Sequence, residues 1–160
     1  MVEGRVRSLP REPAALLATW FGSGYLPVAP GSWASLIALP CAALLVWLGG
    51  PLLVVAACVA VFVVGMWAAN AYMAAAGVHD PPAIVIDEVV GQWLALALAP
   101  LDPAVYALGF LLFRVFDVLK PWPANVVDRA ITGGFGVMLD DVVAGVYAGV
   151  ALWLIAPWLP

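Results

Sequence analysis

The stretch WASLIALPCAALLVWLGGPLLVVAACVAVFVVGMWAANAYMAAA, residues 33–76, decides the fold class. It belongs to a longer run, between Glu12 and Asp80, that contains no Asp, Glu, Lys or Arg. Of the 160 residues 66% are hydrophobic and 10% are charged, whereas roughly a quarter of the residues in soluble domains are charged. A water-soluble fold cannot cover its surface from such a run. The sequence therefore predicts an integral membrane protein of a single domain.

Turn signals divide the apolar sequence into segments of about the length that crosses a membrane. Gly49-Gly50-Pro51 interrupts the first stretch, and a hydrocarbon core needs roughly 20 residues of helix. We therefore expect an all-α fold, a polytopic membrane helix bundle of about five spans. The spans cover residues 33–49, 52–76, 83–99, 104–119 and 141–158. Residues 1–13 are predicted to form a basic cytoplasmic tail, residues 14–160 a single membrane-embedded catalytic domain, and residues 125–135 a polar loop.

The charged side chains gather at one side of this topology. The positive-inside rule places the arginine-containing N-terminus in the cytoplasm, and five spans then bring residues 77–82 and 120–136 to the same side. Three charged groups meet there, and we expect a polar site at the cytoplasmic face of the bundle. The groups are Asp87 and Glu88, then Arg114, Asp117 and Lys120, then Asp140 and Asp141.

The acidic residues of this site suit a hard metal ion. Asp87 and Glu88 lie one turn inside the third predicted span, where a charge costs on the order of 2.5–3.5 kcal/mol at the helix centre and less toward its end. Asp140 and Asp141 stand at the mouth of the last span. Four carboxylates without His or Cys favour Mg²⁺ over zinc, and Mg²⁺ often joins a few carboxylates to a substrate phosphate.

Two cations lie where they can bind that phosphate. Arg114, Asp117 and Lys120 are spaced i, i+3, i+6 and project from one side of a helix. Arg114 would bind phosphate oxygens through its planar fork and Lys120 as a point charge. A structural interpretation exists too, because cations also stabilise a helix C-terminus.

This constellation predicts metal-assisted hydrolysis of a phosphate ester. Cys41 and Cys58 lie in apolar runs without an arginine-rich phosphate loop, and His79 is the one histidine of the chain. These facts disfavour a cysteine nucleophile and paired-histidine chemistry; no GxxxxGK[ST] loop is present either. Asp117 or one of the other acids could activate water, and an Asp nucleophile remains an alternative.

Two glycine-containing segments have both a structural and a functional interpretation. The loop GSGYLPVAPGS, residues 22–32, either is a turn or presents backbone amides to an anion, with Gly31 and Ser32 as candidate phosphate-binding residues. Gly145 and Gly149 form a GxxxG pattern, for which helix packing is the preferred interpretation.

Three blocks of sequence resemble the phosphatidylglycerophosphatase A family. They are GSGYLPVAPGSWASL from Gly22, IVIDEVVGQW from Ile84, and FRVFDVLKPWPANVVDR with GGFGVMLDDVVAGVYA from Phe113. Ser32 stands where the family pattern would have Thr, and the hydroxyl is kept.

The resemblance implies a Mg²⁺-dependent phosphatase that converts phosphatidylglycerophosphate to phosphatidylglycerol in a bacterial inner membrane. It also implies a lipid phosphate monoester as substrate, and places the four acids and the Arg114-Asp117-Lys120 face in the active site. The roles expected are catalytic for Asp87, Glu88, Asp117 and Asp141, phosphate-binding for Arg114, Lys120, Gly31 and Ser32, and metal-binding for Asp87, Glu88, Asp140 and Asp141.

Two other classes of membrane protein would also contain intramembrane acids. An ion- or proton-coupled transporter is one, although the charges here cluster at one edge and not at the midplane. A CDP-alcohol-type phosphatidyltransferase is the other, but its long Asp/Gly/Arg signature is not found. No feature points to a nucleic-acid partner.

Overall fold

The computed structural model describes residues 13–158, with the side chains of residues 127–129 excepted. The predicted basic tail, residues 1–13, lies outside this range apart from its last residue. No strand occurs in the described part of the chain, which confirms the all-α prediction. The helices are α1 (Pro13–Ala18), α2 (Pro30–Ala76), α3 (Ile86–Leu96), α4 (Pro103–Leu119), α5 (Ala124–Ala130) and α6 (Gly133–Ile155), with short 3-10 helices at Ser23–Tyr25 and Ala156–Trp158.

The long helix α2 is two antiparallel halves joined at Gly50. Gly50 has φ 64° and ψ −162°, a conformation open to glycine because it has no Cβ. The Trp93 Nε1–H donates to the Ala38 carbonyl at 3.0 Å, and the Cys58 thiol lies 3.8 Å from the carbonyl of Val90. A straight helix would separate Ala38 from Cys58 by about 30 Å, yet both contact the same turn of α3. The chain therefore reverses at the predicted turn.

Two of the described helices are long and apolar enough to cross a membrane, by length and composition alone. They are α2 and the helical segment Gly133–Trp158, with mean hydropathies of 2.7 and 1.7. Helix α4 has 17 residues, about the lower limit for a span. The all-helical architecture is thus established, while the number of about five spans stays a prediction.

The third predicted span, residues 83–99, is shorter in the structure. Helix α3 has 11 residues, which is about 16 Å of helix against roughly 30 Å of hydrocarbon. Its predicted start is not helical: Val85 has φ −144° and ψ 9°, and its N–H donates to the Ala18 carbonyl at 2.9 Å. This contact ties the loop before α3 to α1.

The polar loop predicted at residues 125–135 is wrong, because most of it is helical. Helix α5 covers Ala124–Ala130 and α6 already begins at Gly133. The Gly134 N–H donates to Asn70 Oδ1 at 2.8 Å, so the end of α2 satisfies one of the free amides at the start of α6. As a result Asp140 and Asp141 lie about two turns inside α6, and not at its start.

Helices α3 and α6 pack closely through glycine. A Cβ on Gly145 would lie 2.9 Å from Gly91 Cα, and one on Gly149 would lie 3.5 Å from Ala95 Cα. The GxxxG pattern is therefore a helix-packing surface, as predicted. Gly91 follows Asp87 by four residues, and Gly145 follows Asp141 by four. The contact one turn below the two acids thus sets how closely they approach.

Candidate active site

Three acidic side chains form a compact cluster between α3 and α6. Carboxylate oxygens of Asp87, Glu88 and Asp141 all lie within 4.8 Å of one another. Asp87 and Glu88 are half-buried and Asp141 is buried. Three carboxylates at this separation and in this burial repel one another strongly unless protons or a cation offset their charge.

The cluster fits a divalent cation by its chemistry. One oxygen of each acid is buried without a hydrogen-bond partner among the described residues: Asp87 Oδ1, Glu88 Oε2 and Asp141 Oδ2. Buried polar atoms in proteins nearly always have a partner. Because the free atoms are all carboxylate oxygens, a hard cation such as Mg²⁺ is the partner that matches them.

Asp140 differs from its neighbour and is not part of this cluster. Its Oδ2 lies 2.6 Å from Lys120 Nζ, and its Oδ1 accepts a hydrogen bond from the Asp141 N–H at 3.0 Å. Both oxygens are therefore engaged by protein donors. The geometry gives Asp140 the role of holding Lys120 against α6, and its predicted role as a metal ligand stays a prediction.

Arg114 links the acid cluster to the cation-bearing face of α4. Its Nη1 lies 2.6 Å from Asp117 Oδ2 and 3.9 Å from Glu88 Oε1. The first contact is the i, i+3 pair that the sequence spacing predicts. The second brings the guanidinium beside the acid cluster, so that a bound anion and a bound cation would be neighbours.

These groups share one cavity of about 390 Å³. Its lining combines the acid cluster, the charged face of α4, the start of α2 and the start of α6. Of the predicted site residues, those in its wall are Gly31, Asp87, Glu88, Arg114, Asp117, Lys120, Asp140 and Asp141. Ser32 is not among the described residues that line it, so its predicted contact with phosphate stays a prediction. The structure thus brings the separate charged groups of the sequence together.

Gly31 makes room for the site. A Cβ at this position would overlap the Glu88 carboxylate and lie 3.3 Å from Arg114 Nη1. The chain enters α2 from Ala29, which has φ 49°, and Pro30 forms the first residue of the helix. The backbone of this turn therefore lies directly against the Glu88–Arg114 pair, which no larger residue would allow without displacement.

Some residues of the cavity wall were not expected from the sequence. His79 and Asp80 line the cavity from the exposed loop between α2 and α3, and Ile131, Gly133 and Val137 line it from the start of α6. His79 is not among the predicted site residues. The one signal for its position was the topology, which places residues 77–82 at the same face as the acids.

The fold and the cavity together indicate a class of protein. An all-helical, strongly apolar protein with a carboxylate cluster and two cations at one cavity is suited to chemistry on a phosphate group at a membrane surface. The comparisons with known proteins narrow this class.

The chain belongs to the phosphatidylglycerophosphatase A family. It matches the family described as "Phosphatidylglycerophosphatase A" over residues 16–156. It is 38% identical over 153 residues to the phosphatidylglycerophosphatase A of Escherichia coli (strain K12), covering 92% of this chain and 86% of that protein. It is also 38% identical over 148 residues to the protein of that name from Haemophilus influenzae, covering 92% and 91% of the two chains.

A further relative carries a different name. The chain is 40% identical over 158 residues to a "Putative phosphatidylinositol-3-phosphatase" of Bacteroides thetaiotaomicron, covering 88% of this chain and 94% of that protein. No solved structure has a significant match to this chain. Both names describe a phosphatase that acts on a phospholipid. The family and the apolar helices together indicate a membrane-associated phosphatase.

Proposed function

We propose that this protein removes the terminal phosphate of phosphatidylglycerophosphate and releases phosphatidylglycerol and inorganic phosphate. The family match and the relatives' names support this activity. One structural observation carries it: the Asp87-Glu88-Asp141 cluster lies in the same cavity wall as Arg114 and Lys120. A phosphate monoester carries negative charge, so its recognition requires the cations, and a metal between it and the acids.

The proposed cofactor is Mg²⁺, held by Asp87, Glu88 and Asp141. When bound, Mg²⁺ polarises a phosphoryl oxygen and stabilises the negative charge that develops in the transition state. Arg114 and Lys120 bind the remaining phosphate oxygens. Because Asp117 holds Arg114 through a 2.6 Å contact, the guanidinium is oriented before substrate arrives, which lowers the cost of ordering it.

The reaction is a hydrolysis at phosphorus. A water oxygen attacks the phosphorus atom, the bond from phosphorus to the glycerol oxygen breaks, and that oxygen takes up a proton. A carboxylate in the cavity wall acts as the base and accepts a proton from the attacking water. Asp117 is the first candidate for this role, since it lines the cavity but lies outside the three-acid cluster.

The proposed setting is a bacterial inner membrane, with several spans and the cavity facing the cytoplasm. Large apolar side chains far from the cavity are exposed, among them Trp47 at 71%, Leu52 at 84% and Trp153 at 61%. Such exposure is costly in water and favourable in lipid. A lipid substrate would keep its acyl chains against these apolar surfaces while its phosphate enters the charged cavity.

The transporter and the phosphatidyltransferase are not favoured. The family match covers most of the chain and its members are named as phosphatases. The Bacteroides relative does favour one further candidate, an inositol lipid phosphate, because it matches this chain about as well as the other two do. The choice of head group is therefore part of the test.

The test is phosphate release by the purified protein in detergent. Phosphatidylglycerophosphate and phosphatidylinositol 3-phosphate are compared as substrates, each with Mg²⁺ and with EDTA. We expect Mg²⁺-dependent release from phosphatidylglycerophosphate. No release by folded protein would contradict the proposed activity, and release that persists in EDTA would contradict the proposed cofactor.

Two Asp→Asn variants separate the site from the rest of the protein. Asp141→Asn changes the acid cluster and should lose the activity. Asp102→Asn is the matched control, because Asp102 accepts hydrogen bonds from the Ala104 and Val105 amides at the start of α4, outside the cavity. Asn also caps helices well, so this control should retain activity. Equal activity of the two variants would remove Asp141 from the site.

A further inference from the structure

Gln92 is buried in the bundle beneath the acid cluster. Its side chain has 0% exposure, and neither Nε2 nor Oε1 has a hydrogen-bond partner among the described residues. Burying an amide without a hydrogen-bond partner is unfavourable, whereas Leu or Met would fill a similar volume without that penalty. A glutamine at this position therefore indicates a polar task.

The closest candidate for that task lies one helical turn away. Gln92 follows Glu88 by four residues on α3, so the two side chains lie on the same side of the helix. Long side chains on a helix lean toward its N-terminus, which for Gln92 is the direction of Glu88. Glu88 Oε2 is itself buried without a hydrogen-bond partner. The free groups are complementary, since the amide donates and the carboxylate accepts.

The first half of α2 covers this side of α3. Gly31 lies against Glu88, and one to two turns further the Ala38 carbonyl accepts from Trp93 Nε1. Ser35 lies between these two contacts, is fully buried, and donates its hydroxyl to the Gly31 carbonyl at 2.9 Å. Helix α2 therefore runs along α3 from the contact of Gly31 with Glu88 to that of Ala38 with Trp93. Because Gln92 is fully buried, its amide has no open route to bulk water.

We infer that Gln92 is a positioning residue for Glu88. Its Nε2 donates to the Glu88 carboxylate through one enclosed water, and this bridge fixes the orientation in which Glu88 would bind a divalent cation. This inference rests on the proposed function and extends it below the cavity wall. Partners behind a ligating side chain set the orientation and basicity of that ligand, and their loss commonly lowers metal affinity about 10–100-fold.

The test measures divalent-ion binding without substrate. Mn²⁺ is titrated into the detergent-purified wild type and the Gln92→Met variant, and free Mn²⁺ is followed by its EPR signal. We expect Mn²⁺ to bind Gln92→Met about 10–100-fold more weakly, while the melting temperature stays within a few degrees of the wild type because methionine fills a similar volume. Raising Mg²⁺ should restore part of the variant's phosphatase activity.

Two further variants keep the outcome interpretable. Gln92→Leu is a second apolar substitution in case the first one disturbs packing. Leu96→Met is the matched control, because Leu96 lies one turn further along α3 and is equally buried; it should bind Mn²⁺ as the wild type does.

Each result decides between a positioning and a packing role. If the wild type binds Mn²⁺ and both Gln92 variants bind it with an affinity within twofold of the wild type, the inference is overturned while the proposed function stands. A lower melting temperature of the variants with unchanged Mn²⁺ affinity would also overturn it. A wild-type protein that binds no Mn²⁺ would overturn both the inference and the metal part of the proposed function.

Discussion

Gly31→Ala adds one methyl group at the point where α2 meets the site. Gly31 has helical backbone angles near the start of α2 and lies outside the positive-φ glycines. Alanine is therefore conformationally allowed, and helix propensity alone would favour it by up to about 1 kcal/mol. The usual expectation for such a substitution is a protein of equal or greater stability.

For activity we expect a loss instead, because of where Gly31 lies in the site. The new Cβ would overlap the Glu88 carboxylate and lie 3.3 Å from Arg114 Nη1. The overlapped atoms are at the free end of a flexible side chain, so the carboxylate can rotate away at little cost to the fold. That rotation moves an oxygen by about 1 Å or more, and a misplacement of this size costs on the order of 10²-fold in rate. We expect kcat/KM to fall about 100-fold.

The assay is Mg²⁺-dependent phosphate release, read beside a thermal melt. Gly149→Ala is the matched control, because its Cβ would come no closer than 3.3 Å to Leu94 O, far from the cavity. We expect the control to keep both its activity and its melting temperature within a few degrees. A Gly31→Ala protein with wild-type kcat/KM would refute the assignment of the Glu88 carboxylate to the site, since its displacement would then have no consequence.

Three further predictions follow from individual contacts. Asp141→Asn should lower Mn²⁺ affinity at least 10-fold with its far-UV helix signal intact, measured by titration and circular dichroism; unchanged affinity would exclude it as a ligand. Arg114→Lys should raise KM for the lipid phosphate about 10-fold or more, because lysine cannot replace the planar fork; steady-state kinetics with an unchanged KM would contradict that role. Asn70→Leu removes the acceptor of the Gly134 N–H, and a thermal melt should show that the protein loses about 1 kcal/mol of stability. Unchanged stability would indicate that water takes the place of the Asn70 oxygen.

The fold class was predictable because a charge-free apolar run has few physical solutions. Helices satisfy every backbone group internally, which is what lipid demands, and the described residues contain no strand. The turn at Gly50 was also predictable, since glycine next to proline interrupts a helix. The length of the third helix was not predictable. Apolar length alone cannot show that Val85 bonds to Ala18 and that α3 is 11 residues long.

The glycines at the start of α6 explain why a polar loop was predicted where the helix begins. Gly133 and Gly134 fall in the predicted polar loop, residues 125–135, and glycine in a helix interior does cost about 1 kcal/mol. In the structure Gly134 and Gly136 are helical, and a Cβ on either would overlap a backbone carbonyl, that of Met66 or Ile131. Close packing decides these residues, and a single sequence does not reveal which neighbour comes close.

The sequence predicted which residues belong to the site better than it predicted which of them contact one another. Charges in an apolar chain must share a polar region, and all but one of the predicted site residues do line the cavity, Ser32 being the exception. The pairing depended on distances that topology does not give. The sequence could not show that Lys120 engages Asp140 while Asp141 joins Asp87 and Glu88.

Asp140 and Asp141 are adjacent on α6 but have different partners in the structure. Their side chains are separated by about 100° around the helix, and of the two Asp141 joins the acid cluster on α3. Asp141 does so, one turn above Gly145, which lies on Gly91 in the tightest part of the α3–α6 contact. Asp140 then faces Lys120 at the end of α4. The Gly91–Gly145 contact therefore brings Asp141 to the acid cluster, and we expect a larger side chain there to weaken the cluster without altering any of its acids.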